Sequence, residues 1–150
     1  MTIIREANRE DANYIMDFQR RMAWETEKVE LDAGILKKGV QAVFEDPSKG
    51  TYYVAESEEV VIGSFLITSE WSDWRNSEVR WFQSVYVVPE HRRKNAFRSM
   101  YDHISTQVKN SDKYSGIRLY VDRTNHKAQK VYQKMGMINH HYEMFEWMKE

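Results

Sequence analysis

The run from Val85 to Arg98 reads Val-Tyr-Val-Val-Pro-Glu-His-Arg-Arg-Lys-Asn-Ala-Phe-Arg and sets Arg92, Arg93, Lys94 and Arg98 within seven residues, just after an apolar stretch ended by Pro89. A cationic turn that opens a helix attracts an anion in two ways. The side chains are charged, and the first helical turn presents unpaired N–H groups carrying roughly half a positive charge. A pyrophosphate is the natural guest. Charge alone would equally describe a solvated basic face; the strand, proline and helix start around the run point to the anion. A second group follows at Asn125-His126-Lys127-Ala128-Gln129-Lys130-Val131-Tyr132-Gln133-Lys134-Met135-Gly136-Met137. Its Tyr132 carries a phenol, which with a pKa near ~10 is protonated at neutral pH. The same spacing also fits a tyrosine packed on a stripe with Val131 and Met135.

The elements that must hold these groups follow from the two hydrophobic periods. Thr2 to Arg5 reads as a strand. Asn8 and Asp11 resemble a capping pair ahead of a helix bearing Ala12, Ile15, Met16, Met22 and Ala23. A second helix starts near Leu31-Asp32, carries Ile35, Leu36, Val40, Val43 and Phe44, and stops at Asp46-Pro47. Thr51 to Ala55 and Val60 to Thr68 read as a hairpin turning at Ser57-Glu58-Glu59. Glu70 to Ser77 reads as a loop, and Trp81 to Val88 as a long strand. The helix after it carries Phe97, Met100, Tyr101, Ile104 and Val108. Gly116 opens a strand with Ile117, Leu119 and Val121 on one face. Asn125 caps a last helix that ends at Gly136, and Ile138 to Trp147 reads as a final strand. The expectation is one α/β domain over residues 1–150, with a central mixed sheet flanked by about four helices.

The two groups together resemble the GNAT N-acetyltransferases. Val-x-Pro-x-x-Arg-Arg-Lys before a helix looks like that family's acetyl-CoA signature, and Asn125, Ala128, Tyr132 and Gly136 fit its second motif at the right intervals. The resemblance covers about Thr51 to Trp147. It implies the acyl-CoA N-acyltransferase fold, acetyl-CoA as co-substrate, and transfer of its acetyl group to an amine by direct attack in a ternary complex. It further implies that Val85, Tyr86 and Val87 lie along the thioester and pantetheine arm, the valines through backbone groups. Arg92, Arg93, Lys94, Asn95, Ala96, Phe97 and Arg98 would surround the phosphates. Asn125 would hydrogen-bond the pantetheine, and Ala128 is small enough to let CoA lie alongside. Tyr132 would protonate the departing thiolate. The family usually has glycine at the position of Asn95 and glycine or alanine at that of Phe97. Asn tolerates the positive φ that glycine supplies, and Phe97 falls on the apolar stripe. These departures motivate the alternative of a catalytically silent acyl-CoA-binding or regulatory module.

An attacking amine must lose a proton, so a carboxylate acting directly or through water is needed. Glu25 and Glu27, beyond the first helix, are the leading candidates, with Glu70 and Asp73 as others. Gln83 faces the right region without being a base. Trp24, Trp71 and Trp74 lie in the same segments, and indole faces beside acids suit a cationic small-molecule amine.

Composition removes other classes. A net charge of -1 argues against coating nucleic acid, and zero cysteines exclude disulfides, thiolate metal sites and a cysteine nucleophile. The five histidines, His91, His103, His126, His140 and His141, lack metal-site spacing, so no metal is expected. No run approaches the ~20 apolar residues of a membrane span, and no leader is visible, so the chain reads as soluble and cytoplasmic. Many members of the family pair as homodimers; the aromatic segment with Tyr142, Phe145 and Trp147 suits either a core or such an interface.

Overall fold

The runs Tyr52-Tyr53-Val54-Ala55 and Val61-Ile62 leave a strand no polar side to turn to water, so both need cover on two faces. The computed structural model, which describes residues 1–150, provides that cover. It divides into two compact units, Met1–Arg118 and Leu119–Glu150. The first contains β1 (Thr2–Glu6), α1 (Ala12–Glu27), α2 (Ala33–Glu45), β2 (Thr51–Ser57), β3 (Val60–Ser72), β4 (Ser77–Val87), α3 (Ala96–Lys109) and β5 (Tyr114–Arg118). The strands form one sheet in the order β1-β2-β3-β4-β5, antiparallel except for the parallel β4–β5 pair.

Ile15 and Phe18 of α1 and Val40 of α2 pack with Tyr52, Val54 and Tyr86 on one face of the sheet. The opposite face carries a row of rings, Tyr53, Phe65 and Phe82, with successive centroids 5.1 Å apart. Phe97 and Tyr101 of α3 meet Phe82 at 5.7 and 6.4 Å. The buried stripe of α3 is Ala96, Met100 and Ile104, at four-residue spacing. Stacked and edge-on rings at these separations favour one arrangement of sheet and helix beyond the area they bury.

Start signals read in the sequence recur as hydrogen bonds. Asn8 and Asp11 form a reciprocal capping box, and the Asp32 carboxylate accepts from the Ile35 N–H at 2.9 Å. Asp11 also takes two bonds from Arg5, at 2.8 and 2.9 Å, while Arg5 reaches Glu56 at 2.8 Å. These Arg5 bonds hold the buried Asp11 carboxyl below its ordinary value against the opposing effect of burial. Asp11→Asn is therefore expected to cost about 2 kcal/mol at neutral pH. Because the folded pKa is depressed, that stability is present above the ordinary carboxylate range and lost as pH falls through the lower folded value. Thermal melts should show the gap between wild type and variant closing as pH drops from neutral towards about 3; a gap independent of pH would refute it.

Three expectations are corrected. Glu70 to Ser77 is a turn only over residues 73–76: β3 runs to Ser72 and β4 starts at Ser77, with Ser72 facing Ser77 across the ladder. Polar composition misled here, because cross-strand bonds such as Trp81 Nε1 to Glu70 Oε1 at 2.8 Å satisfy those side chains. The strand opening at Gly116 instead spans Tyr114–Arg118 and excludes Leu119 and Val121. Ile138 to Trp147 forms no strand, since alternation describes a strand's faces but cannot supply the ladder it needs. The unit Leu119–Glu150 has one helix, α4 (His126–Lys134).

Candidate active site

The register of β3 against β4 breaks once. Leu66 faces Gln83 and Ser64 faces Tyr86, so Ser84 and Val85 together oppose Phe65. This is a β-bulge, and Ser84 adopts a left-handed φ of 53° to make it. Within Met1–Arg118, β5 accompanies β4 only from Glu78 to Trp81. The stretch from Phe82 to Val87 thus pairs with β3 alone in that unit. The Val88 N–H turns to Ile62 O at 2.9 Å, so the main-chain groups of Val87, one residue earlier, turn away from β3. Sequence reading placed Val85 and Val87 on this strand but not the bulge, whose only local signal is Ser84 amid larger residues.

After Val87 a single 3-10 turn, Pro89–His91, leads into the cationic segment. Arg93 and Asn95 both take left-handed φ, 65° and 63°. No side chain caps α3, and its first bond runs from the Ser99 N–H to Asn95 O at 3.0 Å. The amides ahead of Ser99 have no helical partner, and alternating left-handed residues make such amides converge on an anion. Asn95 thus takes the φ that glycine would supply, and Phe97 turns its ring edge-on to Phe82. Arg93 and Lys94 are exposed and pair with no carboxylate, whereas Arg98 pairs with Asp102 at 3.3 Å.

Arg92 is engaged elsewhere. Its Nε donates to Val87 O and one terminal nitrogen to Glu25 Oε2, both at 2.8 Å. The Tyr86 hydroxyl donates to Glu25 Oε1 at 3.0 Å, and the Tyr86 ring stacks on Phe18. Burial pushes the Glu25 carboxyl up, but the bonds from Arg92 and Tyr86 outweigh it and leave it below the ordinary value. Glu25 is therefore ionised and a poor proton acceptor. Glu25 and Glu27 lie in the last turn of α1 and not beyond it, because the helix continues past the apolar stripe to Glu27. Glu27 is exposed and holds no ion pair. The side chain of Tyr86 belongs to the core.

Thr68, Glu70, Trp81, Gln83 and Arg118 share the sheet face that carries Tyr86 and are half-buried. Gln83 Nε2 donates to Thr68 Oγ1 at 2.7 Å, while Glu70 Oε1 accepts from Trp81 Nε1 and from Arg118, both at 2.8 Å. Those two bonds, Trp81 first, hold the Glu70 carboxyl below its ordinary value. The aromatic partner of Glu70 is thus Trp81, not Trp71 or Trp74. Trp71 projects from the opposite face of β3, and Trp74 is 90% exposed in the turn beside Asp73. Trp24 carries Lys28 over its ring at 5.5 Å.

In the second unit Asn125 Oδ1 accepts from the Ala128 N–H at 3.1 Å, which caps α4. At the far end Gly136 takes φ 90°, with its N–H on Gln133 O at 3.0 Å and the Met137 N–H on Tyr132 O at 3.1 Å, a Schellman closure. Burial raises the Tyr132 phenol above its ordinary pKa. No group of acids and histidines with metal-ligand geometry is found, and no helix is long and apolar enough to cross a membrane.

The acetyltransferase (GNAT) family model matches residues 9–137. No curated protein sequence matches the chain. Among solved structures, a possible acetyltransferase from Clostridium difficile 630 is 38% identical and superposes with a TM-score of 0.91 over 100% of this chain and 99% of that one. A predicted acetyltransferase with acetyl-CoA from Clostridium acetobutylicum is 17% identical, with a TM-score of 0.72 over 100% and 96% of the two chains. AAC(6')-Iy in complex with the bisubstrate analogue CoA-S-monomethyl-acetylneamine is 14% identical, with a TM-score of 0.79 over 99% of each chain. At those identities the last two share the fold.

Proposed function

The chain belongs to the GNAT acetyltransferase family, and from that premise we propose that it transfers the acetyl group of acetyl-CoA directly to the amine of a small molecule or amino compound within a ternary complex. The observation that carries this reading is the course of residues 85–98: a bulged strand, a cationic turn with two left-handed residues, and a helix start without a side-chain cap. Such a turn suits a diphosphate by its amides and by Arg93 and Lys94. Asn95 and Phe97, the two departures from the family pattern, are accommodated by a left-handed φ and a ring contact. They therefore do not by themselves favour a silent module.

In the proposed reaction the lone pair of a neutral amine attacks the thioester carbonyl carbon. The carbon–sulfur bond breaks, the thiolate takes a proton from Tyr132, and the new amide's nitrogen gives up its proton, an equal proton returning from solvent to restore the Tyr132 phenol. Of the two carboxylates at the end of α1, Glu27 is open to receive that proton directly or through water, while Glu25 is occupied by Arg92 and Tyr86. The polar face of Thr68, Glu70, Trp81 and Gln83, next to the bulge, supports a hydrogen-bonding amine as acceptor.

Free-thiol release from acetyl-CoA over a panel of amines tests the reading: amine-dependent release supports transfer, and acetyl-CoA binding without release to any amine would indicate the silent module. Arg93→Ala and Lys94→Ala are each expected to weaken acetyl-CoA binding about 10-fold in calorimetric titrations, as loss of a charge-assisted phosphate contact does. Equal affinity would mark the cationic turn as ordinary surface.

A further inference from the structure

We infer that Arg92 is a positioning residue that clamps the acetyl-CoA turn to the end of α1, separate from the cations that meet the phosphates. The inference rests on the acetyl-CoA reading of the turn and divides its positive charges into two jobs. A guanidinium is a planar fork of donors with fixed directions. In Arg92 one arm holds Val87 O and another holds Glu25 Oε2, each at 2.8 Å, and the plane lies over the Tyr86 ring at 5.2 Å. The Tyr86 hydroxyl reaches the other oxygen of Glu25 at 3.0 Å. Three side chains and one carbonyl thus close a ring joining the end of β4, the last turn of α1 and the start of the cationic turn.

The bond from Arg92 to Val87 spans the Pro89–His91 turn and ties its two ends together. The next residue, Arg93, sits at φ 65°, a conformation L-residues avoid and keep only where their surroundings hold it. The clamp supplies that hold. With side-chain exposures of 43% for Arg92 and 38% for Glu25, the pair borders water, so its worth lies in placing the turn more than in global stability. Arg93 and Lys94, which hold no carboxylate, remain for the ligand.

Glu25→Ala separates a clamp from a phosphate ligand by sign. A phosphate-binding Arg92 released from its carboxylate would bind acetyl-CoA more tightly, or equally well. A clamp that loses Glu25 lets the turn drift, and acetyl-CoA binding should weaken at least ~3-fold. Arg92→Ala should weaken it similarly, and the double variant no further than the worse single, since both cut one linkage. Tyr86→Phe, which keeps the ring in the core, should move affinity the same way by less. Melting temperatures should change little across the set. Tighter or unchanged binding in Glu25→Ala, or additive losses in the double variant, would overturn the inference. Amide exchange at His91, Arg92 and Ser99, whose N–H groups are bonded to Val88 O, Pro89 O and Asn95 O, supplies a readout independent of acetyl-CoA. It should accelerate in both single variants while exchange in β2 stays fixed, and unchanged exchange overturns the clamp even if acetyl-CoA is found not to bind.

Discussion

Tyr132→Phe is expected to lower kcat at least ~10-fold while acetyl-CoA affinity stays within about twofold, because the change removes a proton donor and almost no volume. Attack of an amine on a thioester expels a thiolate, and a hydroxyl that donates as that charge forms stabilises the transition state more than the ground state. Burial raises the Tyr132 phenol above its ordinary pKa, so it stays protonated through neutral and mildly alkaline pH. Loss of activity from Tyr132 ionisation should then be absent below about pH 10. The split between kcat and affinity is the informative part. A tyrosine that only packs α4 would move melting temperature or binding and leave turnover per folded molecule intact. Unchanged turnover in the variant removes Tyr132 from the chemistry.

What the sequence made legible was local. Asn8 with Asp11, Asp32, Asn125 and Gly136 were readable because a cap needs one residue type at one position, and each recurs as a hydrogen bond or a left-handed φ. The strand–turn–helix at Val85 to Arg98 was readable for the same reason, as was Phe97 turning inward. Long-range pairing was not. Whether Glu70 lies in a loop or a strand depends on Trp81 and Arg118, which are eleven and forty-eight residues away. Nothing within a window of a few residues encodes those bonds.

The same limit explains Arg92 and Glu25. Read as a string, Arg92 is one cation among four and Glu25 is a carboxylate near a helix end. Only the packing of α1 against β4 through Phe18 and Tyr86 brings them to 2.8 Å and takes both from the roles their types suggested. The bulge at Ser84 and Val85 was hidden for a related reason. A bulge is a count of two residues against one on the neighbouring strand, and the neighbour is not in the window.

The bulge also makes the second large prediction, at Gly63. This residue faces Val87 across the ladder, just beyond the bulge, where β4 comes unusually close. A Cβ there would stand 2.5 Å from Tyr86 O, 3.2 Å from the Met100 methyl and 3.4 Å from Val87 Cα. Met100 can swing aside, but a backbone carbonyl within a ladder cannot, so Gly63→Ala must push β4 outward. The expected loss is about 3 kcal/mol, typical of overpacking a filled core, or roughly 6–12 °C in Tm for a domain of this size. Because the displaced residues lead into the turn held by Arg92, acetyl-CoA affinity should fall with stability. Shortening Met100 in the same background should not rescue the variant, since the carbonyl remains. Gly39, inside α2 with nothing within 4 Å of where an added methyl would stand, is the control. Gly39→Ala should stabilise by about 0.5–1 kcal/mol through helix propensity alone. If both variants melt within a degree of wild type, β3 and β4 are not held so close at the bulge, and the strand geometry on which the acetyl-CoA reading leans is wrong.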